Sequence, residues 1–309
     1  MLRLGLVAKF AHRAIHFRST TATSLLKMDR EAALDKLSRL ILQNAAALQQ
    51  ALTYCTANGI GAFRIGSGIL PLKTHPEAGY EVTQLPQAEE IVARFKACGY
   101  FAQEHDLRLS FHPSQFTLLS SADAGVTERS LAEIEYQAEV AQWVGADVIN
   151  IHGGGAYGDK AAALGRVATH LGYLSAGARR RLTMENDDRV YTPADLLPLC
   201  RRENVPFVYD VHHHRVLPDG QSVPDVTRQA LATWDREPLF HVSSPRDGWG
   251  GAAPQRHHDY VNPADFPACW LEVAQARDLT VDVEAKGKEL AVLGLLFALQ
   301  GRGVALFAV

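Results

Sequence analysis

Residues 148–155 read VINIHGGG, a short apolar run that ends in a histidine followed by three glycines. A helical pattern follows from about Asp159 to Leu174. A run of this length and composition, bounded by glycines, is typical of a buried strand that leads into a loop. The stretch therefore predicts a strand, a loop and a helix, which is the repeating unit of α/β folds.

The same unit recurs along the whole chain. The predicted strands are residues 2–8, 62–65, 108–111, 148–151, 181–184, 207–209, 239–242 and 280–283. Eight consecutive pairs of strand and helix are the number that a (β/α)8 or TIM barrel requires. No Pro/Ser-rich linker or low-complexity segment interrupts the series, so we expect residues 1–309 to form a single α/β domain.

Most of these strands end on, or directly before, a side chain that can bind a metal. The residues concerned are His112, His152, Glu185, Asp210 with His213, His241 and Glu284. They should converge, because the carboxyl ends of barrel strands meet at one face. Imidazole mixed with carboxylate suits zinc, manganese, iron or cobalt, and the absence of cysteine disfavours a structural zinc site. We therefore predict a catalytic site for two or three ions that share a bridging carboxylate.

Two groups of histidines leave alternatives open. The histidines of residues 212–214 cannot all face inward, so Asp210 and His213 are the preferred pair, and at least one other ring is expected in solvent or behind the site. The doublet His257-His258 lies in the long loop after the seventh strand. We favour His257 as a ligand supplied by the loop and keep His258 as its alternative.

Charge and cysteine usage restrict the function further. A net charge of −3 and a pI near 6.5 argue against coating nucleic acid through bulk charge, although a local basic groove remains compatible with them. The four cysteines are isolated and form no CxxC motif, as expected of free thiols in a reducing cytoplasm. No apolar run reaches the length of a membrane span. The basic, Ser- and Thr-containing first 27 residues mimic a mitochondrial presequence, but the alternation in residues 2–7 favours a first strand.

Eight motifs, found from one end of the chain to the other, carry a family resemblance. They are FRIGS (63–67), SFHPSQF (110–116), NIHGGGAYGDK (150–160), MENDD (184–188), DVHHH (210–214), HVSSP (241–245), HHDY (257–260) and VEAKGKE (283–289). Together they resemble the UV damage endonucleases, which are related to the endonuclease IV and xylose isomerase barrels. HPSQF, ENDD and EAKGKE separate this family from the sugar isomerases.

The resemblance implies a metal-dependent endonuclease that hydrolyses a DNA phosphodiester bond immediately 5′ of a UV photoproduct. The expected products carry a 3′-hydroxyl and a 5′-phosphate, and the expected substrates are cyclobutane pyrimidine dimers, 6-4 photoproducts and, in addition, abasic sites. Mn²⁺ is the expected ion, with Mg²⁺, Co²⁺ and Zn²⁺ as alternatives. The expected partner is damaged double-stranded DNA, bound by a cytoplasmic monomer without any membrane association.

Carried over by position, the resemblance also implies roles for single residues. The implied metal ligands are His112, His152, Glu185, Asp210, His213, His241, His257 and Glu284. Glu185 would bridge ions and act with His241 and Lys286 in catalysis, where Lys286 is a partner for a phosphate or a ligating carboxylate. Gln115 and Phe116 would enter the duplex where the lesion is extruded. A crosslinked pyrimidine dimer stacks poorly, so flipping it out of the duplex costs less free energy than flipping normal bases. The ring of Phe116 and the amide of Gln115 would then fill the gap that the flipped bases leave.

We further expect a basic, DNA-facing rim. It comprises Lys9, His12, Arg13, His16, Arg18, Arg64, Lys73, Arg246 and Arg256, and Phe10 beside Lys9 is expected to contact the DNA or the lesion. Such cations position a duplex through its phosphates without reading its sequence. The chain departs from the family at two places: Leu6 and Lys9-Phe10 stand where many members have a Tyr and an Asn, and Leu239 stands where some have a Lys that can be carboxylated.

Two rival functions use the same barrel. A sugar isomerase or epimerase also binds metal at the strand ends, but it needs a narrow polar pocket and a base for proton transfer from carbon. A strict abasic-site endonuclease would share the metal ligands. The eight candidate ligands, the Gln115-Phe116 pair and the basic loops favour the UV endonuclease over both.

Overall fold

Eight parallel strands close into a barrel in the computed structural model, which describes residues 1–302 and 305–307. The strands are β1 (Leu2–Val7), β2 (Ala62–Gly66), β3 (Arg108–His112), β4 (Val148–His152), β5 (Leu182–Glu185), β6 (Phe207–Asp210), β7 (Leu239–Val242) and β8 (Leu279–Val283). Each strand pairs with the next, and β1 also pairs with β8. The predicted (β/α)8 barrel is thus confirmed, and the alternating residues near the N-terminus form its first strand.

Helices connect the strands on the outside of the barrel. They are α1 (Ala22–Leu25), α2 (Arg30–Ala57), a 3-10 helix (Val82–Gln84), α3 (Ala88–Glu104), α4 (Ala124–Val144), α5 (Lys160–Leu171), α6 (Ala176–Arg181), α7 (Pro193–Glu203), α8 (Val211–Val216), α9 (Val223–Leu231), α10 (Ala268–Ala276) and α11 (Glu289–Gln300). The short helices α1, α6 and α8 were not predicted. Helix α10 begins directly after Pro267.

Side-chain caps fix where several of these helices begin. The Asp29 carboxylate accepts a hydrogen bond from the Ala32 amide at 2.8 Å, directly before α2. Asp159 caps α5 in the same way. Helix α7 opens with Pro193 at its first position. An acceptor before the first turn satisfies amides that have no partner within the helix. Each cap therefore fixes the residue at which the helix begins and the preceding loop ends.

The core occupies both the barrel interior and the layer between sheet and helices. Leu2, Leu4 and Leu6 are fully buried along β1, as expected for a strand of a parallel sheet that is covered on both faces. Outside the sheet, the Phe240 ring lies 5.1 Å from that of Trp270. Among the residues described, no helix is both long and apolar enough to cross a membrane.

The two ends of the barrel differ in character. At the amino ends of the strands, Arg108 forms an ion pair with Asp147 at 2.9 Å, and Arg3 donates to Asp106 at the same distance. The carboxyl ends instead carry the histidines and acids predicted as ligands. In this fold, contacts that stabilise the barrel usually lie at the amino ends of the strands, and reactive groups lie at the carboxyl ends.

Candidate metal centre and its pocket

Glu185 lies at the centre of the barrel mouth, where β5 ends, and is fully buried. Its Oε2 is 3.0 Å from Nε2 of His112 and 4.0 Å from Nε2 of His152. Its Oε1 is 3.1 Å from Nδ1 of His241 and 3.3 Å from Nδ1 of His213. Four histidines from β3, β4, β7 and α8 therefore surround one carboxylate.

The donor set fits divalent metal ions. His112, His152 and Glu185 form one group whose ligand atoms lie within 4.8 Å of one another, and Glu185, Asp210 and His241 form a second. Both groups contain Glu185, which suits a carboxylate that bridges two ions. Among the residues described, Glu185 Oε1, Asp210 Oδ2 and His152 Nδ1 are buried without any hydrogen-bond partner. Buried polar atoms are normally satisfied, so unpaired ones beside this cluster are available to bind an ion.

Backbone carbonyls orient two of these histidines. Nδ1 of His112 lies 2.9 Å from the Pro113 carbonyl oxygen, and Nδ1 of His213 lies 2.9 Å from that of Asn186. Metal-binding imidazoles usually donate their second nitrogen to such an acceptor, which fixes the tautomer and the ring plane. The contacts leave Nε2 of both rings available to a metal.

Two asparagines that our sequence analysis missed support the acids. Asn150 donates to Glu185 Oε2 at 2.5 Å. The Asn186 amide donates to the Asp210 carbonyl oxygen at 2.8 Å and accepts from the Asp210 amide at 3.0 Å. Asn150 stands two residues before His152, on the same strand face. That period of two is the signal by which it could have been found.

A short helix separates the three consecutive histidines. Residues 211–216 form α8, in which successive side chains diverge by about 100°. His213 faces Glu185, whereas His214 turns outward and bonds Tyr209 at 2.7 Å and Asp219 at 2.9 Å. His212 packs with its ring 5.2 Å from that of Trp249. All three are buried, so none of them extends into solvent, but only His213 joins the cluster.

The loop after β7 supplies one further histidine. Nδ1 of His257 lies 3.9 Å from Oε2 of Glu284, while His258 is exposed and accepts from the Tyr260 amide at 2.9 Å. His257 is thus the member of the doublet that faces the site. Leu239, at the place of the family lysine, belongs to an apolar cluster with Val148, Val208 and Trp234.

Burial and mutual charge shift the protonation of the cluster. Burial raises the pKa of Glu185, but His241 and His152 outweigh it and hold that pKa well below 4.5. Burial lowers the pKa of His241, yet Glu185 and Glu284 raise it to about 9. For His152 burial dominates and lowers the pKa to about 4. In the metal-free protein at neutral pH, these shifts favour the protonated form of His241 and the neutral form of His152.

Arg64 is a correction to the expected DNA-facing rim. It is only 5% exposed and forms ion pairs with Glu284, through Nη2, and with Asp282, whose Oδ2 lies 3.4 Å from Nε. Its strand position directs the side chain into the barrel, where the two acids hold it. Lys73 does not belong to the rim either. Its side chain is nearly buried, and its Nζ forms an ion pair with Oε2 of Glu81 at 3.0 Å.

Phe10 is a second correction, since its ring packs against the protein. It lies edge-on to Tyr54 at 5.3 Å and stacks on Phe63 at 6.3 Å. Covering apolar surface stabilises this position more than exposure at the rim would. Phe17, which we did not single out, lines the pocket instead, together with the exposed Lys9.

A cavity of about 1100 Å³ opens above the cluster. Gln115 and Phe116 stand at its edge on the loop after β3, and the Phe116 ring is 75% exposed. Arg246 and Arg256 lie outside the cavity on the loop after β7, where both are exposed and the Arg246 amide donates to the Arg256 carbonyl oxygen at 2.6 Å. The mouth therefore combines acids and histidines at its floor with a ring and cations at its edge.

Two lysines from the last motif reach this cavity. Lys286 is exposed, whereas Lys288 is half-buried, and burial together with the charge of Arg64 lowers the pKa of Lys288. The backbone of Lys288 has φ 49° and ψ −122°, a conformation that costs a non-glycine residue free energy. Strain of this kind concentrates at functional sites, and no sequence pattern reveals it.

A family model and sequence relatives agree on one family, and a solved structure shares the fold. The family model described as UV-endonuclease UvdE matches residues 2–305. The chain is 33% identical over 296 residues to a UV DNA damage endonuclease from Bacillus cereus (strain G9842), covering 93% of this chain and 90% of that one. It is 35% identical over 298 residues to the same-named protein from Bacillus velezensis, with equal coverage. The crystal structure of SacUVDE aligns with a TM-score of 0.86 at 24% identity and covers 99% of this chain and 100% of that chain.

Proposed function

Because this chain belongs to the UV-endonuclease UvdE family, we propose that it incises DNA immediately 5′ of UV photoproducts. The proposed substrates are cyclobutane pyrimidine dimers and 6-4 photoproducts, with abasic sites as additional ones, and the proposed products carry a 3′-hydroxyl and a 5′-phosphate. Membership of the family makes the chain a DNA repair endonuclease for UV damage. The observation that carries the finer proposal is Glu185, which two groups of metal-binding side chains share beneath an open cavity.

The residues that would hold two or three divalent ions are His112, His152, Glu185, Asp210, His213, His241, His257 and Glu284. Mn²⁺ is the ion we propose first, and Mg²⁺, Co²⁺ and Zn²⁺ suit the same donors to different degrees. Ions in such a site supply an activated water and charge stabilisation at the leaving oxygen of a phosphodiester. Without them, the carboxylates would repel the anionic substrate.

The protein's own cations would bind the phosphate next to the cleaved bond. Lys286 and Lys288 both line the cavity beside Glu284, and Lys9 approaches from the first loop. We propose Lys288 as a phosphate partner in addition to Lys286, because it is the more buried of the two and a charge in a less polar setting acts more strongly. Arg64 would act indirectly, by holding Glu284 in place.

Lesion recognition would depend on the loop after β3. Phe116 presents most of its ring to solvent, and Gln115 beside it offers an amide that can both donate and accept hydrogen bonds. An exposed ring at the edge of a cavity is poised to stack on bases. We propose that the pair occupies the gap left by the flipped lesion, while Arg246 and Arg256 contact the backbone of the duplex.

The open mouth of the cavity suits a polymeric substrate. Pockets for small molecules usually enclose most of their ligand. This cavity of about 1100 Å³ is open to solvent above the cluster. A monomer acting in the cytoplasm fits the proposal, because a duplex must reach an unobstructed barrel mouth.

Incision of defined duplexes tests the proposal. Purified protein with Mn²⁺ is incubated with end-labelled duplexes that carry a thymine dimer, a 6-4 photoproduct, an abasic site or no lesion. We expect a cut directly 5′ of each photoproduct and none in the intact duplex, and ligation of the nicked product would identify its 3′-hydroxyl and 5′-phosphate. Cleavage of the abasic duplex alone would show a strict abasic-site endonuclease. Failure to cut any duplex would favour a sugar isomerase or epimerase.

A further inference from the structure

A buried carboxylate lies within the barrel beside the metal centre and has no role in the function proposed so far. Asp282 stands on β8, two residues before Glu284, so both side chains emerge on the same face of the strand. Asp282 is fully buried, and within the described residues neither of its carboxylate oxygens makes a hydrogen bond, although Arg64 Nε lies 3.4 Å from Oδ2. Burying an acid that makes no hydrogen bond is costly, so the position requires an explanation.

The strand beside Asp282 is shaped to admit this carboxylate. Gly5 on β1 is the register partner of Asp282. A Cβ added at Gly5 would lie 2.0 Å from Asp282 Oδ1, so no other residue fits there without movement. Glycine weakens a strand interior and often marks the close approach of another group. The barrel thus has space at Gly5 that an acid on the neighbouring strand occupies.

Asp282 faces the second nitrogen of a metal-site histidine. Nδ1 of His241 points towards the cluster, 3.1 Å from Glu185 Oε1 and 3.4 Å from Glu284 Oε1. Its Nε2 points the other way, 3.8 Å from Asp282 Oδ2. In the part of the chain that the structure describes, neither nitrogen makes a hydrogen bond. His241 therefore lies between the acids of the metal centre and one further acid.

The other histidines show what His241 lacks. Backbone carbonyls at 2.9 Å orient His112 and His213, but within the residues described neither nitrogen of His241 has such an acceptor. A ligating imidazole usually donates its second N–H to a carbonyl, a carboxylate or water. The carboxylate near Nε2 of His241 is that of Asp282. Nε of Arg64 lies 3.4 Å from Oδ2 of the same carboxylate.

We propose that Asp282 is a positioning residue of the metal centre. Its carboxylate, 3.8 Å from Nε2 of His241, would come within hydrogen-bond range of the Nε2–H when metal binds and so keep Nδ1 directed towards Glu185 and Glu284. Arg64 forms ion pairs with both Asp282 and Glu284 and so fixes the two carboxylates relative to each other. It thereby links the buried Asp282 to the metal-binding Glu284. The proposal rests on the proposed metal-dependent function, and it concerns metal binding before any DNA is present.

Mn²⁺ affinity tests this role without DNA. We would titrate the wild type, Asp282→Asn and Asp282→Leu with Mn²⁺ and follow free Mn²⁺ by electron paramagnetic resonance. Loss of an outer partner of a ligand costs about 10- to 100-fold in metal affinity, which we expect for Asp282→Leu. Asp282→Asn keeps one acceptor oxygen and should rescue part of the affinity. Wild-type affinity in Asp282→Leu would overturn the proposal.

A matched control separates positioning from general stability. Asp147→Asn removes the partner of Arg108 at the opposite end of the barrel, so it should lower the unfolding midpoint and leave Mn²⁺ affinity unchanged. If the Asp282 variants do not fold, ¹⁵N spectra of the histidine-labelled wild type loaded with Zn²⁺ decide the question, with His241→Gln assigning the signal. A proton on Nε2 of His241 supports the proposal, and a proton on Nδ1 overturns it.

The Asp282 test also stands apart from the proposed substrate. If the wild type binds Mn²⁺ but cuts no photoproduct, the proposed substrate is wrong, and the affinities of the Asp282 variants still decide the positioning role. If the wild type cuts photoproducts and Asp282→Leu binds Mn²⁺ normally, only the positioning role is wrong.

Discussion

Nε2 of His112, at the end of β3, lies 3.0 Å from Oε2 of Glu185, at the end of β5, with β4 between them. The contact crosses an intervening strand, so it exists only because the closed barrel directs strand ends towards its axis. Glu185 is consequently the residue on which most of the cluster depends.

Replacing Glu185 with Gln should abolish incision while the fold persists. The amide keeps the shape of the side chain but loses the charge and one acceptor, so we expect less bound Mn²⁺ and an incision rate lower by more than about 10²-fold. Rates on a thymine-dimer duplex and metal content by mass spectrometry check both effects. Glu133→Gln, an acid on α4 that bonds Thr74 and Gln137, is the matched control. Normal cutting by the Glu185 variant would contradict a bridging role.

Replacing Gln115 and Phe116 together with Ala should weaken lesion discrimination and leave metal binding intact. Phe116 is 75% exposed, so removing its ring should change the free energy of unfolding by less than about 0.5 kcal/mol. Loss of stacking on a base costs about 1–3 kcal/mol. The ratio of affinities for damaged and intact duplexes, measured by fluorescence anisotropy, should fall accordingly.

Tyr173→Ala is the control for that double variant. Tyr173 is 67% exposed, follows α5 and is not among the residues that line the cavity. It should leave the preference for damaged DNA unchanged. An unaltered preference in the Gln115 and Phe116 variant as well would rule out their proposed insertion into the duplex.

Replacing Glu289 with Gln should loosen the first loop. Glu289 is fully buried, and its carboxylate accepts the amides of Ala11 at 2.8 Å and His12 at 2.7 Å. Glutamine has one acceptor oxygen, so one amide would lose its partner, at a cost of about 1–3 kcal/mol. We expect faster hydrogen exchange in residues 9–13 and weaker binding of damaged DNA through Lys9. The exposed Glu31→Gln, at the start of α2, should change neither, and protection equal to wild type in the Glu289 variant would show that the loop is held by other contacts.

The metal-free protein should lose stability on the alkaline side of neutrality. His241 has a pKa of about 9 in the folded protein and an ordinary value of 6.5, so its contribution is fully present below pH 6.5 and is lost as the pH rises through 9. The shift corresponds to about 3 kcal/mol. His152, lowered to about 4, acts in the opposite sense and reduces stability as the pH falls below 6.5. Urea unfolding in the presence of a chelator should therefore show a maximum near pH 6.5.

His241→Gln should make the alkaline part of this profile less steep but not flat, because Asp210 and Glu185 outweigh burial and raise the pKa of His213 as well. Saturating Mn²⁺ should flatten it in the wild type, because metal takes the place of the protons. A metal-free profile that rises from pH 6.5 to 9 would show that His241 is not protonated in the folded protein.

Much of the site was predictable because its signals are local. His112, His152, Glu185, Asp210, His241 and Glu284 each stand at a strand end, and parallel strands bring those ends together whatever the details of packing. Asn150 and Asp282 precede ligands by two residues, and that spacing could have revealed them as well. Arg64 and Phe10 could not be placed this way, because a charged or aromatic residue near a strand end can face either the pocket or the protein.

By itself, the sequence determined the barrel, the end at which its chemistry lies and the mixture of histidine and carboxylate found there. These follow from periodicity and from the order of strands and helices, both of which are properties of neighbouring residues. Only the tertiary structure decided that His213 alone of three histidines faces Glu185, that Arg64 pairs with Asp282 and Glu284, and that Asp282 occupies the space left by Gly5. Those outcomes depend on distances between side chains far apart in the chain, which packing sets and no local pattern records.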